Sequence, residues 1–353
     1  MIDIGNAPPN TGIRIQSDGL IQALRRYGRG RVRVCESPAS SPSKQFRSIR
    51  RIKYLWNLKL LAAHGYQQMD VVHFTNVFVP KPQKRVMMIG AIYDLDAVNF
   101  PSTYSRSYRL YYRYIISRTI ENAHKIITPT ESVLELICER YPGVRNKIKA
   151  LGVGLSENFI AAVRETPNES KTSIPTLLFV GTLSTKKNIH WLIPTVLKGV
   201  QSGALPRLKL VLAGNEGFGF PYFREQIYNS HGIVEWVKSP NIFDLVKLYK
   251  TSHVVLLPSL TEGFGIPLIE AMYCKTCIVA SRIPTSLEVA SRAAFYFDLN
   301  DDEEFFAAVK AGLEDNDKVQ RENFIEGYIQ KYLWETLAPQ YIKTYEDLVC
   351  FRP

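Results

Sequence analysis

The sequence predicts an α/β protein with two Rossmann-like domains, and three observations support this class. The chain has 353 residues, about twice the 100–200 residues usual for one domain. Short apolar runs alternate with helical patterns along both halves, which is typical of parallel sheets covered by helices on both faces. A polar, turn-rich segment over 165–175, just after the candidate linker ALGVGLSENF, suits a surface connection between the halves.

The alternation is clearest in the second half. Continuous runs of β-branched residues and leucine predict strands at TLLFVG, LKLVLAG, VVLLPS and CIVAS. The stretches between them have a helical period and predict helices at NIHWLIPTVLKGV, YFREQIYNS and PLIEAMYC. Because ligands bind such sheets at the carboxyl ends of the strands, the glycine-containing loops of this half are candidates for a binding site.

The first half repeats this pattern less cleanly. Its strand candidates are MIDIG, VRVCE, DVVHF, VMMIGAIYD and KIITPT, and its helical stretches include SDGLIQALRRYG and SYRLYYRYIISRTIENA. We therefore predict an N-terminal domain over 1–155 and a C-terminal domain over 170–330. A C-terminal helix over 331–353 could pack on either domain and is a candidate to cross back to the first.

Composition excludes several classes of protein. No segment is long and apolar enough to span a bilayer, and the opening MIDIGNAPPN lacks the basic head and apolar run of a secretory signal. Five scattered cysteines do not suggest a disulfide framework. Cys274 and Cys277 form a CxxC motif, but no further ligands lie nearby to complete a zinc site, so filling a turn is the simpler role. These features predict a cytoplasmic protein.

The basic charge lies in the first half. Residues 1–165 carry 25 Lys and Arg against 12 Asp and Glu, whereas residues 166–353 carry 19 against 21. The excess is densest over 25–62, where Arg and Lys alternate with Ile, Leu and aromatic residues. This region predicts peripheral contact with an anionic membrane surface, on the inner face of the plasma membrane. A solvated amphipathic helix is the alternative, and the absence of a recognised module argues against nucleic-acid binding.

The segment Glu262 to Glu270, EGFGIPLIE, is the strongest candidate for a binding site. Two glycines follow the strand VVLLPS, and Pro267 suits the first turn of a helix. Backbone N–H groups at such a helix start can bind an anion or a polyhydroxyl group. The two carboxylates can each accept paired hydrogen bonds from sugar hydroxyls. The alternative is that Glu262 caps the helix and Glu270 is solvated.

The longer stretch LLPSLTEGFGIPLIEAMYCKTCIVAS resembles the sugar-nucleotide signature of retaining glycosyltransferases of family 4, also called glycosyl transferases group 1. The family's two glutamates separated by seven residues correspond to Glu262 and Glu270. The resemblance is strong over 175–348 and weaker over 1–154. It implies the GT-B fold, in which two Rossmann-like domains face each other across a cleft.

This resemblance also implies roles for individual residues. Glu262 would contact the donor hexose, Glu270 the ribose hydroxyls and Lys187 the diphosphate, with Glu262 and Lys187 as the catalytic pair. Many relatives have an arginine where this chain has Thr182, so Lys186 would supply the second cation; the alternative is that both lysines lie in a solvated turn. The full implied donor set is Gly12, Gly181, Thr182, Lys186, Lys187, Gly214, Asn215, Val237, Glu262, Gly263, Phe264, Gly265, Ile266, Leu268 and Glu270.

The first domain departs from its relatives at one position. Where relatives commonly carry a His-Asp pair, the chain has Tyr93 and Asp94, so Tyr93 either reaches the donor sugar or packs at a strand end. His73 is an alternative histidine for acceptor or donor contact, or a structural one. Gly12 and Arg14 lie in a segment that resembles the family's first loop, although it could be an ordinary turn before a helix capped by Ser17.

Taken together, these features predict a retaining transferase that moves a hexose from a nucleotide diphosphate sugar to a glycan or lipid-linked saccharide of a surface polysaccharide. The GTLSTKKN form of the basic loop favours mannose from GDP-mannose, with a UDP-sugar as the alternative. No DxD motif stands out at a donor site, so we expect no obligatory metal or other cofactor. A sugar-nucleotide-binding subunit without transferase activity, suggested by Tyr93, is the rival interpretation; an epimerase or hydrolase is a third.

Overall fold

The computed structural model describes residues 2–3, 12–28, 69–75, 77–82, 85–101, 104, 106–217 and 219–350. The chain divides into two compact units, one formed by Met1–Gly154 with Tyr332–Pro353 and the other by Leu155–Lys331. The predicted strand VRVCE, Cys35 and most of the basic region 25–62 lie outside the described residues.

Among its described residues, the first unit contains a five-stranded sheet in which every pairing is parallel. Its strands follow chain order: β1 (Ile2–Asp3), β2 (Val71–Phe74), β3 (Met87–Ala91), β4 (Lys125–Thr128) and β5 (Ile148–Ala150). The helices between them are α1 (Gly12–Tyr27), α2 (Asp96–Asn99), α3 (Arg106–Asn122) and α4 (Glu131–Arg140), with a 3₁₀ segment over Pro142–Lys147. This arrangement confirms the predicted fold class for the first half.

The second unit contains a six-stranded parallel sheet in the order β11-β10-β9-β6-β7-β8. Its strands are β6 (Thr176–Val180), β7 (Lys209–Ala213), β8 (Val234–Val237), β9 (Val254–Leu257), β10 (Cys277–Ser281) and β11 (Ala294–Phe297). Its helices are α5 (Glu157–Glu165), α6 (Ile189–Gln201), α7 (Phe220–Tyr228), α8 (Ile242–Thr251), α9 (Ile266–Tyr273), α10 (Pro284–Ala290), α11 (Asp302–Glu314) and α12 (Lys318–Tyr328). Strands β6, β7, β9 and β10 match the four predicted strands because their apolar runs are buried, whereas β8 and β11 were not predicted.

Two boundaries differ from the sequence prediction. Helix α5 begins at Glu157, inside the predicted linker, because Phe159 and Ala162 give it an apolar face that is buried. The predicted C-terminal helix over 331–353 begins at Trp334, because a 3₁₀ segment over Ile329–Tyr332 precedes it, and we name it α13 (Trp334–Cys350).

Helix α13 packs within the first unit. Its residues Leu337, Tyr341 and Tyr345 join a buried apolar cluster with Leu20 and Ile127. Trp334, only 2% exposed, lies against two glycines: a Cβ on Gly154 would come within 2.3 Å of its ring, and one on Gly19 within 2.7 Å. These positions therefore require glycine for steric reasons. Among the described residues, no helix combines the length and the apolar character needed to cross a membrane.

We predict that Gly154→Ala destabilises the first unit by about 1–3 kcal/mol, because the added methyl group must displace the Trp334 ring from a packed core. Gly143→Ala is the matched control, since a Cβ there meets nothing within 4 Å. Scanning calorimetry of both variants measures the difference. Equal melting temperatures would show that the Trp334 site is not tightly packed.

Candidate active site

Three loops meet at the carboxyl edge of the second unit's sheet. They follow β6, β7 and β9, which are neighbours in the sheet, and backbone hydrogen bonds join them. The N–H of Leu183 donates to the carbonyl of Asn215 at 2.8 Å, and the N–H of Leu260 donates to the carbonyl of Lys186 at 3.0 Å. The loops predicted to bind the donor therefore form one connected surface.

Two glycines allow the β6 and β7 loops to approach each other. Gly181 and Gly214 have φ angles of 146° and 148°, which other residues rarely adopt. A Cβ on Gly214 would lie 2.0 Å from the carbonyl oxygen of Gly181. Thr182, the residue that replaces the family's arginine, follows directly and is exposed.

Lys187 and Glu262 form a largely buried ion pair between the β6 and β9 loops. The Lys187 Nζ contacts Glu262 Oε1, and their side chains are 18% and 7% exposed. Ser259 donates from its Oγ to the same carboxylate oxygen at 2.6 Å. Burial alone would raise the pKa of Glu262, but the Lys187 and Lys186 cations and these hydrogen bonds outweigh it and hold the pKa below its ordinary value. Glu262 is therefore a carboxylate at neutral pH.

Hydroxyl side chains from later in the chain hold the backbone around Glu262 by hydrogen bonds. Thr285 Oγ1 donates to the carbonyl of Glu262 at 2.9 Å, and Ser281 Oγ donates to the carbonyl of Ser259 at 2.7 Å. Helix α9 has Gly265 as its N-cap and no side-chain capping bond. The alternative interpretation of Glu262 as a helix cap is therefore wrong.

The EGFGIPLIE segment buries apolar side chains and keeps part of its main chain near the surface. Phe264 and Leu268 are buried in the core, so any ligand contact from these two residues must come from the main chain. Gly265 takes a φ of 86° at the helix start, while Gly263 and Ile266 are half-buried. This arrangement suits the predicted backbone contacts to a donor sugar.

Glu270 lies in the second turn of α9 and is buried, so the alternative of a solvated side chain is wrong. Tyr249 of α8 donates from its hydroxyl to Glu270 Oε2 at 2.7 Å. Burial raises the pKa of Glu270 to about 7, although the Tyr249 hydrogen bond acts in the opposite direction. Near neutral pH this carboxyl is therefore present in both protonation states.

The remaining donor residues of the second unit lie beside the β8 end. The N–H of Gly214 donates to the carbonyl of Val237 at 3.0 Å, and Trp236 Nε1 donates to the carbonyl of Gly214 at 3.0 Å. Asn215 is exposed, and its Oδ1 accepts a hydrogen bond from Ser239. These bonds fix the backbone predicted to contact the nucleotide.

In the first unit, the structure brings together two of the four residues predicted for acceptor or cleft contact. His73 and Tyr93 line one pocket, together with Gln16, Thr128 and Tyr341. Burial lowers the pKa of His73 to about 3, so its imidazole is neutral. Its Nδ1 lies 2.9 Å from the Tyr345 hydroxyl.

The other first-unit candidates have separate surroundings. Gly12 is exposed at the start of α1, and Arg14 forms an ion pair with Asp18 at 2.8 Å. Asp94 accepts a hydrogen bond on its carbonyl from Tyr112 at 2.7 Å. Ser17 lies inside α1 and donates to the carbonyl of Ile13 at 2.7 Å, so the expectation that it caps this helix is wrong.

Sequence reasoning missed several residues of these sites: Gln16, Tyr249, Ser259, Tyr341 and Tyr345. Ser259 lies two residues after the end of β9 and could have been considered from its position. Tyr249 lies 21 residues before Glu270, and only the packing of α8 against the sheet brings them together. The sequence contains no local signal for that contact.

The described residues contain no group of three or more His, Cys, Asp or Glu side chains that could hold a metal ion. Burial raises the pKa values of Cys274 and Cys277 to about 12, so both remain thiols at neutral pH. Metal-independent chemistry stays a prediction.

Solved structures share this fold over nearly the whole chain. The similarity to Anabaena HepE (Alr3699) in complex with UDP-glucose has a TM-score of 0.72 at 17% identity, covering 98% of this chain and 99% of that one. WaaG, a glycosyltransferase involved in lipopolysaccharide biosynthesis, gives a TM-score of 0.71 at 15% identity and covers 98% of each chain. The fold is that of the GT-B glycosyltransferases.

Sequence comparison places the second unit within a family. Residues 164–330 match the family described as glycosyl transferases group 1. They are therefore a glycosyl transferases group 1 domain, as the EGFGIPLIE motif predicted.

Curated relatives are distant. The O-antigen chain mannosyltransferase RfbU of Salmonella typhimurium is 23% identical over 247 residues, which are 70% of this chain and 65% of that protein. The O-antigen chain mannosyltransferase B of Escherichia coli is 22% identical, covering 79% of this chain and 74% of that protein. The match to a D-inositol 3-phosphate glycosyltransferase of Corynebacterium urealyticum, at 26% identity, covers 65% of this chain but 58% of that protein.

The raised pKa of Glu270 predicts how stability changes with pH. Its folded pKa of about 7 lies above the ordinary 4.5, so the folded state binds the proton more tightly. The resulting stabilisation is present below about pH 4.5 and is lost as pH rises through about 7. Glu270→Gln, which stays neutral, should therefore be more stable than the wild type at about pH 8, by at most about 3 kcal/mol, and equal to it at about pH 4.

Denaturant unfolding at the two pH values measures this difference. Glu235→Gln is the control, because Glu235 is exposed on the same unit and should show no such change. A Glu270→Gln protein with the same pH dependence as the wild type would contradict the buried, protonated state.

The Lys187 ion pair predicts a rescue experiment. Lys187→Met leaves Glu262 buried without its main cation and should cost about 2–3 kcal/mol, less than for a fully buried pair because Lys187 keeps some exposure. Adding Glu262→Gln removes the unpaired charge and should restore most of that stability. Chemical denaturation of the single and double variants tests this, and equal stabilities would show that the two side chains are not coupled.

Proposed function

We propose that the chain is a retaining glycosyltransferase that moves a hexose from a nucleotide diphosphate sugar to a hydroxyl group of a glycan or lipid-linked saccharide. The observation that carries this proposal is the buried pair of Lys187 and Glu262 where the β6 and β9 loops meet. The domain match over 164–330 supports the same reaction class.

The two charges suit the two parts of such a donor. Lys187, with Lys186 beside it, offers positive charge to the diphosphate, which gains negative charge as the glycosidic bond breaks. Glu262 is ionised, and Lys187 and Ser259 both contact its Oε1, so Oε2 is the oxygen proposed to accept hydrogen bonds from hexose hydroxyls. In the transfer, the bond from the anomeric carbon to the phosphate oxygen breaks, and a bond to the acceptor oxygen forms on the same face. The acceptor proton passes to the leaving phosphate.

Glu270 is proposed to hold the ribose hydroxyls. The hydrogen bond from Tyr249 fixes one carboxyl oxygen, which leaves the other for the ligand. The carbonyl of Val237 and the loop of Gly214 and Asn215 are proposed to lie along the nucleotide. Gly12 and Arg14 are the corresponding proposals from the first unit.

We propose mannose from GDP-mannose as the donor and a surface polysaccharide, such as lipopolysaccharide, as the product. Relatives named as O-antigen mannosyltransferases support this choice. A UDP-sugar is the alternative donor, supported by similar structures solved with UDP or UDP-glucose. A cytoplasmic enzyme that contacts the inner membrane surface through the basic region 25–62 would suit a lipid-linked acceptor.

The rival proposal is a subunit that binds sugar nucleotides without transferring sugar. It is favoured by one observation: the residue in place of the family's histidine, Tyr93, is hydrogen-bonded to Ser17, and burial raises its pKa. A tyrosine hydroxyl held in this way is a poor proton acceptor at neutral pH.

Release of nucleoside diphosphate distinguishes these proposals. GDP-mannose, UDP-glucose and related donors are incubated with a panel of saccharide acceptors, and NMR of the product reports the anomeric configuration. We expect transfer with retention, unchanged by EDTA, and no transfer by the Lys187→Met/Glu262→Gln protein although it is folded. Binding without release across the panel would support the inactive subunit, and an inverted product would contradict the retaining reaction.

A further inference from the structure

Glu270 is held by a tyrosine that belongs to a different helix. The hydroxyl of Tyr249, on α8, donates to Glu270 Oε2 at 2.7 Å, and the tyrosine is fully buried. The described residues make no other hydrogen bond to this carboxyl. Its Oε1 is not among the fully buried atoms that lack a partner. The protein therefore fixes one carboxyl oxygen and leaves the other open to a ligand.

Tyr249 itself has a rigid support. Thr276 Oγ1 donates to its carbonyl at 2.7 Å, and the Phe159 ring of α5 packs edge-on against its ring, with the centroids 5.8 Å apart. The next residue, Lys250, donates from its Nζ to two carbonyls at the end of α5, at 2.8 and 2.5 Å. These contacts fix both the backbone and the ring of Tyr249, so its hydroxyl reaches Glu270 from a defined direction.

The Tyr249 hydroxyl also favours the charged form of Glu270. Among the described residues, the titratable groups that act on this carboxyl are Tyr249 and Cys274, at the end of α9. Burial raises the pKa values of both, so neither is charged at neutral pH. Lys250, the nearby cation, is engaged with the carbonyls of α5. The Tyr249 hydrogen bond is thus the contact that lowers the pKa of Glu270 against the effect of burial.

Loss of this hydrogen bond would affect a ligand in two ways. The carboxyl group could turn about its last bond, so that part of the binding energy would be spent on fixing it again. The ionised form, whose oxygens accept hydrogen bonds from hydroxyl groups, would also become less favourable. Both effects fall on a ligand that donates hydroxyl groups to Glu270 and spare one that does not.

We propose that Tyr249 is a positioning residue for the donor nucleotide: by holding Oε2 of Glu270 it directs Oε1 at the ribose, and so selects a ribonucleotide over its 2′-deoxy counterpart. This inference rests on the proposed function, in which Glu270 holds the ribose hydroxyls. Because Tyr249 is fully buried, it acts through Glu270 and does not contact the ligand.

Binding of matched nucleotides tests the role of Tyr249. GDP, UDP and their 2′-deoxy forms are titrated into the full chain by isothermal titration calorimetry. In the wild type, we expect the deoxy form to bind about tenfold more weakly than the ribonucleotide, the effect of one lost hydrogen bond. Tyr249→Phe keeps the ring and its packing but lacks the hydroxyl. It should reduce this preference to about threefold or less, through weaker binding of the ribonucleotide.

The pH profile of the preference gives a second readout. Since the pKa of Glu270 is about 7, the wild-type preference should grow from about pH 6 to about pH 8, as the carboxyl ionises. Tyr249→Phe loses a hydrogen bond to the charged form, which raises the pKa of Glu270, so the same increase should occur at higher pH. Both nucleotides carry the same diphosphate, so its own titration cancels in the ratio of affinities.

Tyr328→Phe is the matched control, because the Tyr328 hydroxyl donates to a backbone carbonyl, that of Glu288, at 2.8 Å in the same unit. It should keep the wild-type preference, whereas Glu270→Gln should lose it. Thr276→Val removes the hydrogen bond to the Tyr249 carbonyl and keeps the Tyr249 hydroxyl. It replaces Tyr249→Phe if that variant does not fold, and should also reduce the preference.

The proposal is overturned if Tyr249→Phe keeps the wild-type preference and pH profile. An equal loss of affinity for both nucleotides also overturns it, since that result would show a structural role alone. A preference that is lost in Glu270→Gln but unchanged in Tyr249→Phe contradicts only the role of Tyr249. If Glu270→Gln keeps the preference, or if neither GDP nor UDP binds, the ribose assignment of the proposed function fails as well.

Discussion

The second unit depends on keeping one carboxylate charged inside a folded loop. Glu262 is buried, and burial alone would favour its protonated form. Lys187 and Ser259 reverse that preference from opposite sides, one from the β6 loop and one from the end of β9. The close approach of Gly181 and Gly214 then joins the third loop to the other two. The ionic contact thus joins the β6 and β9 loops and places a cation beside a carboxylate at this edge of the sheet.

The two glutamates of one short motif have opposite properties because their partners differ. Glu262 faces cations, so its pKa falls, whereas Glu270 has only the neutral Tyr249 hydroxyl, so burial dominates and its pKa rises. Pairs of acids separated in this way can take different roles at the same pH. In the proposed function, the charged Glu262 would contact the transferred sugar and the titrating Glu270 would contact the nucleotide that leaves.

Much of the fold followed from the sequence, since continuous apolar runs mark strands buried on both faces, as in β6, β7, β9 and β10. The motif glutamates and Lys187 were also identifiable, because their spacing follows a family pattern. Long-range packing could not be predicted from the sequence. Nothing local predicts that Tyr249 reaches Glu270, that Ser17 is internal to α1, or that Tyr341 meets Gln16 across 325 positions of the chain. Helix α5 was missed because its apolar face is short and lies within a turn-rich stretch.

Helix α13 has a consequence for the order of biosynthesis. It follows the whole second unit along the chain, yet its Trp334, Tyr341 and Tyr345 complete the apolar cluster of the first unit. During translation, domains generally fold as they emerge, so the strands of the first unit must wait, with Leu20 and Ile127 uncovered, until more than 150 further residues have been synthesised. The second unit, whose residues are contiguous, can finish first. The contacts that Tyr341 makes with the first unit are therefore among the last that the folding chain can form.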